Sequence, residues 1–88
     1  MEILLTYDVD RKQPEVKKAL ENGGYGDRWK AGDTIYYLPN STLWHKDRTV
    51  KDAISDIETV CASLNVILER AIAVPTDPWA GIPGKKHS

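Results

Sequence analysis

The chain has 88 residues, 41% of them hydrophobic and 28% charged, with a formal net charge of −1. That length makes one domain, and the composition is that of a globular protein, not a disordered or fibrous one. The near-neutral balance excludes nucleic-acid binding driven by bulk positive charge, though a local basic patch remains compatible with it.

A single cysteine, Cys61, excludes an internal disulfide. No stretch approaches a membrane-spanning run, and the chain opens on a strand with no leader ahead of it, so the expected setting is a reducing cytoplasm with no membrane. A chain this short buries only roughly 60–65% of the surface that its unfolded form exposes, so its stability margin is thin and a partner surface adds to it.

In chain order, Ile3 to Val9 alternates as a strand, with apolar residues on both faces at its start. Pro14 suits the first turn of a helix whose apolar stripe is Val16, Ala19 and Leu20, with Asp10 or Gln13 as its cap and Gly23–Gly24 as its stop. Tyr25 to Gly32 reads as a loop around Trp29. Asp33–Leu38 and Ser41–Lys46 read as two strands meeting in a tight hairpin at Pro39–Asn40. Thr49 caps a second helix whose stripe runs Val50, Ala53, Ile54, Ile57, Val60, Cys61 and Leu64. Val66 to Val74 is a last strand, nearly continuous in apolar residues, as suits a central position.

The order β, α, β, β, α, β predicts an α+β fold, a ferredoxin-like βαββαβ sandwich with an antiparallel sheet and two helices on one face. The domain spans residues 1–75. Residues 76–88 form a Pro/Gly-rich tail, extended or disordered. Both helices are used on one face, so the other must be covered by something else. Leu4, Leu38, Ser41, Trp44 and Trp79 are the expected interface of a homodimer that covers it. The alternative is an open sheet screened by the tail through Trp79 and Ile82.

The Tyr7-Asp8-Val9 end of the first strand resembles the Y-D-I/V signature of the small CRISPR-associated Cas-two proteins and their VapD-type and SinR-type relatives. The segment Leu38-Pro39-Asn40-Ser41-Thr42-Leu43-Trp44 is similar to that family's second and third strands, and Val16-Lys17-Lys18-Ala19-Leu20 to its first helix. The resemblance spans residues 1 to 74. It implies a ferredoxin-like homodimer and, at the position of Asp8, the aspartate to which metal-dependent cleavage of RNA or DNA is attributed. The chain departs from the pattern in three places. Its basic pair appears only as Arg11-Lys12 ahead of Gln13-Pro14, Thr-Leu-Trp follows Ser41 where the family has Val-Phe-Glu, and the tail lacks an obvious partner-binding strand.

Asp8 and Asp10 form a D-x-D pair at a strand end, a spacing that places both on one face if the strand continues. Paired carboxylates suit Mg²⁺ or Mn²⁺, with Asp8 as the candidate catalytic residue; the alternative is two loop acids. Arg11, Lys12, Lys17, Arg28, Trp29 and Lys30 are the candidate nucleic-acid contacts, cations to hold phosphate and an aromatic to stack a base, or else a solvated helix face and loop. His45 lies at a strand end with no second histidine near it. Cys61, on an apolar stripe, reads as core. Three functions follow. A homodimeric scaffold or nucleic-acid- or protein-binding module ranks first, a divalent-metal-dependent endoribonuclease or endodeoxyribonuclease using Asp8 second, and a small-molecule sensor at a dimer cleft third.

Overall fold

A computed structural model describes residues 1–87 of the protein. The alternation at the N-terminus is realised as β1 (Ile3–Val9), whose Ile3, Leu5, Tyr7 and Val9 are buried while Thr6 and Asp8 are exposed. β1 is the middle of a three-stranded antiparallel sheet. On one side it pairs with β4 (Thr42–His45), placing Leu5 opposite Leu43 and Leu4 opposite Trp44. On the other it pairs with β5 (Leu68–Pro75), placing Tyr7 opposite Ala71, Thr6 opposite Ile72 and Leu4 opposite Val74.

Two helices cover one face of this sheet. α1 (Gln13–Asn22) contributes Val16 and Leu20, and α2 (Val50–Leu64) contributes Ala53, Ile57 and Cys61. These pack with Ile3, Leu5, Tyr7, Val9 and Leu43 in one cluster. Each fully buried aliphatic side chain there contributes about 1.5–3 kcal/mol of transfer free energy. Thr49 caps α2, its hydroxyl accepting the Asp52 N–H at 3.0 Å, and Asn65 ends the helix in the left-handed region at φ 59°. α1 begins differently from expectation. Neither Asp10 nor Gln13 caps it; Lys12 stands at the cap position with φ 58° and makes no side-chain bond to the helix start, and the early Pro14 removes one donor that would need a partner.

Three expectations are corrected. The last strand is an edge strand, not a central one. Only alternate residues, Ala71 and Ala73, face the helices, while Ile72 and Val74 lie on the opposite face with 61% and 43% of their surface exposed. Its apolar run therefore records two apolar faces, not two paired edges.

The tight hairpin also lies elsewhere. β3 (Thr34–Tyr37) pairs with β2 (Arg28–Ala31), inside the stretch read as a loop, and not with β4. The turn is Gly32–Asp33, with Gly32 at φ 62°, the backbone that the first central position of a two-residue hairpin turn reserves for glycine. Pro39 and Asn40 instead carry the chain into β4, where Ser41 takes φ 61° and its carbonyl accepts the Tyr7 N–H at 3.0 Å. Third, the expected single sheet is divided into a three-stranded and a two-stranded one, and beside β4 there is only a bridge between Gly26 and Trp44.

An isolated two-stranded hairpin is marginal in water. β2–β3 is held by packing Trp29 on Trp44, with ring centroids 5.7 Å apart and nearly parallel planes. The C-terminal segment completes the arrangement. Thr76 is buried and donates its N–H to the Glu2 carbonyl, Trp79 lies on Trp29 at 4.6 Å, and the Pro83 carbonyl accepts the Tyr37 N–H at 3.0 Å. Among the described residues no helix is long and apolar enough to cross a membrane.

Candidate functional site

The helix-covered face leaves little to do chemistry. Burial pushes the Tyr7 hydroxyl up to about 12, and burial likewise raises the Cys61 thiol, with the nearby Asp10 charge adding to it. A thiol so placed is a core residue and not a nucleophile. At the edge of this face, Tyr25 donates to Asp56 at 2.7 Å, and Arg48 grips the same carboxylate with two bonds of 2.9 and 2.6 Å. Burial raises the Tyr25 hydroxyl, and its bond to the Asp56 carboxylate raises it further. His45 is fixed at both nitrogens: Nδ1 accepts the Asp47 N–H at 3.0 Å, so Nε2 carries the proton and donates to the Gly23 carbonyl at 3.1 Å. It stands edge-on to Tyr25 and is a structural bracket.

Of the expected catalytic and metal-binding pair, the open face carries Asp8. Asp8 lies on it, half-exposed, opposite Arg70, and the guanidinium donates to its carboxylate at 2.7 Å. That bond, with the Asp8 charge, raises the Arg70 guanidinium above its ordinary value. A bulge follows at once: Asp8 pairs with Arg70 but Val9 with Leu68, so Glu69 is the extra residue.

Asp10 does not join Asp8. Its carboxylate accepts the Ile67 N–H at 2.9 Å and a bond from Arg11 at 3.1 Å. The Ile67 N–H is the main reason the carboxyl lies below its usual range; Arg11 assists and burial opposes. Asp10 ties the end of β1 to the start of β5.

The donor set does not suit Mg²⁺ or Mn²⁺ within one protomer. A hard cation needs several free oxygen ligands, and here one aspartate is held by a guanidinium and the other by a backbone amide. No group of three or more His, Cys, Asp or Glu comes together among the described residues.

Most of the expected nucleic-acid contacts are committed within the protomer. Arg11 is paired with Asp10, Lys12 donates to the Leu64 carbonyl, and Lys17 and Arg28 both hold Asp27 at 3.0 Å. Burial raises the Asp27 carboxyl, but the hydrogen bonds from those two cations outweigh it and leave the group below its usual range. Arg28 also lies over the Tyr37 ring. Trp29 is only 7% exposed, its ring held between Trp44 and Trp79, and Lys30 points away on the exposed side of the hairpin.

Of the expected interface residues, Leu4 and Trp44 are cross-strand neighbours on the open face, and Trp79 lies over that side of it. Leu38 donates its N–H to the Asp27 carbonyl beyond the hairpin, and Ser41 is a turn residue behind β4.

Sequence reasoning missed Arg70, Ile72 and Val74. Their signal is the alternation of Arg70, Ile72 and Val74 with Ala71 and Ala73, which beyond the Glu69 bulge sends all three to the face that carries Asp8. Compared with known proteins, the chain matches no family model, no curated protein and no solved structure.

Proposed function

We propose that the protein is a self-pairing, non-catalytic scaffold of ferredoxin-like type, two copies of which associate through the β5 side of the open sheet face. The observation that carries this reading is the exposure of Ile72 and Val74 on one face beside the Asp8–Arg70 pair. A two-fold interface places the same patch on both copies. Apolar side chains would then meet apolar ones, while the acid and base of each copy would lie within reach of the opposite charge on the other. The β5–β1–β4 order, with Gly26 bridging the far edge, supports a ferredoxin-like frame whose outermost strand has shrunk to one bridge. The resemblance to the Cas-two, VapD and SinR group agrees with such pairing. The Asp8–Arg70 bond and the diversion of Asp10 speak for a scaffold over a metal-dependent nuclease.

The test is the solution mass of the full chain by light scattering across a concentration series. A dimer is expected, and Ile72→Asp should shift it to monomer with an unchanged circular dichroism spectrum. A wild-type chain that stays monomeric at every concentration sinks the pairing. Labelled RNA and DNA incubated with Mg²⁺ or Mn²⁺ should remain intact; cleavage that Asp8→Ala abolishes would instead establish the nuclease.

A further inference from the structure

The β4 side of the open face is roofed rather than bare, and the roof does not close completely on the sheet. Between them lies a cavity of about 590 Å³, bounded by Leu4 of β1, Trp29, Tyr36 and Tyr37 of the hairpin, and Trp79 and Ile82 of the C-terminal segment. Its size falls in the range of small-molecule sites, which are mostly apolar with a few polar groups that fix orientation.

Two features define what it would hold. The first is flatness. Trp29, Tyr36 and Trp79 pack on one another, Trp29 on Trp79 at 4.6 Å and Tyr36 edge-on to Trp79 at 4.9 Å, so a guest ring does not enter between them but meets the side of the cluster that faces the cavity, where Trp79 keeps 40% of its surface exposed. Such a surface favours a planar ring system, which gains offset or edge contacts on it. The second is charge. Among the described residues Lys85 is the one charged side chain on the lining, and no acidic side chain joins it. Arg28, over the Tyr37 ring, adds nothing to this charge, because Asp27 already holds its guanidinium at 3.0 Å. Aromatic walls alone would also suit a cation, but a cation here would meet the like charge of Lys85.

We infer that this cavity is a binding site for a planar aromatic anion, an aryl carboxylate or similar, with its rings against the cavity side of the Tyr36–Trp79 cluster and its charge towards Lys85. The site is built from one protomer and lies towards β4, whereas Ile72 and Val74 lie on β5 beyond β1, so it does not depend on the pairing proposed above.

The experiment titrates the full chain with 2-naphthoate, reading the quenching of tryptophan fluorescence, with 2-naphthylmethanol and 2-naphthylmethylammonium as neutral and cationic counterparts. Saturable 1:1 binding is expected, in the order anion, neutral compound, cation. Trp79→Ala should weaken naphthoate about tenfold, the scale of one lost aromatic stacking partner. Lys85→Glu should reverse the order of anion and cation while leaving the circular dichroism spectrum intact, so the inference stays testable even if Trp79→Ala perturbs the fold. Ile72→Asp should leave naphthoate binding unchanged. The inference is overturned by no saturable binding, by equal binding of the three compounds, by an order that Lys85→Glu does not alter, or by binding lost in Ile72→Asp, which would place the probe on the β5 side.

Discussion

The β4 side and the β5 side of the open sheet face solve the same physical problem in different ways. Both carry apolar residues that the helices cannot reach. Over β4 the chain supplies its own cover, a hairpin and a C-terminal segment joined through Trp29, Trp44, Trp79 and Tyr36. Over β5 it supplies none, and Ile72 and Val74 remain in water. The difference lies in loop length and reach. The chain between α1 and β4 holds an extra hairpin that folds back over β4, whereas α2 leads into β5 almost directly. A cover made in cis contributes to protomer stability; a cover made in trans contributes only when copies meet.

This contrast sets a ranking of substitutions by the depth of the cover removed. Ile57, fully buried under α2, is the reference. Ile57→Ala should cost about 4 kcal/mol, as large-to-small changes in a closed core do. Trp29→Ala should come next, at about 3 kcal/mol, because it removes the ring on which both Trp44 and Trp79 rest. Chemical denaturation of each variant measures both values. If Trp29→Ala proves as mild as a surface change, the hairpin and tail are not a true cover, and the two sides of the face are alike.

The joint between the helix layer and the roofed half is Gly24. Its φ of +98° suits glycine, and a Cβ added there would come within 2.8 Å of His45 Nε2. Gly24→Ala should destabilise by about 2 kcal/mol, from backbone strain and the displaced imidazole together. Gly24→Ala combined with His45→Ala should recover only the steric part, and a double-mutant cycle separates the two.

Much smaller is Ile72→Ala. At concentrations where the protomer is alone it should change stability by no more than about 0.5 kcal/mol, as exposed substitutions do. Its effect should appear in the dimer dissociation constant. A large effect on the isolated protomer would show that the β5 side is covered in cis after all.

The sequence made the helix-covered half far more legible than the open half. The stripes of Val16–Leu20 and Val50–Leu64, the Thr49 cap and the Gly23–Gly24 stop are local signals, each read from a few neighbouring residues, and they appear where periodicity places them. The α+β class, with antiparallel strand pairing and two helices, agrees with that reading. Strand pairing over β4 was not legible, because Thr34–Tyr37 can pair forward across Pro39–Asn40 or backward across Gly32–Asp33. The choice depends on where Trp29 finds its partners, and Trp79 lies fifty residues further along the chain. The site suffered likewise. Asp8 and Asp10 are adjacent in pattern, but the bulge at Glu69 and the free Ile67 N–H draw Asp10 away, and neither is visible in a D-x-D spacing.

The smallest effect at neutral pH, and one that probes the covered face alone, concerns Tyr7. Its hydroxyl is raised from 10.0 to about 12, chiefly by burial beneath the helices, with the Cys61 and Glu21 charges adding to it. The folded state therefore holds the proton more tightly than the unfolded state. The sign follows from linkage: this contribution is fully present below pH 10, where the hydroxyl is neutral in both states. It is lost as pH rises from 10 towards 12, where the unfolded chain ionises first and gains stability relative to the fold. Tyr7→Phe removes the titrating group while keeping the ring that packs against the helices. Denaturation midpoints between pH 9 and pH 11.5 should fall more steeply for the wild type than for Tyr7→Phe, and the two should run parallel below pH 9. If the wild type and Tyr7→Phe run parallel throughout this range, the helix layer does not exclude water from the Tyr7 hydroxyl, and the line between a cover made by helices and a cover made by a hairpin and tail has to be redrawn.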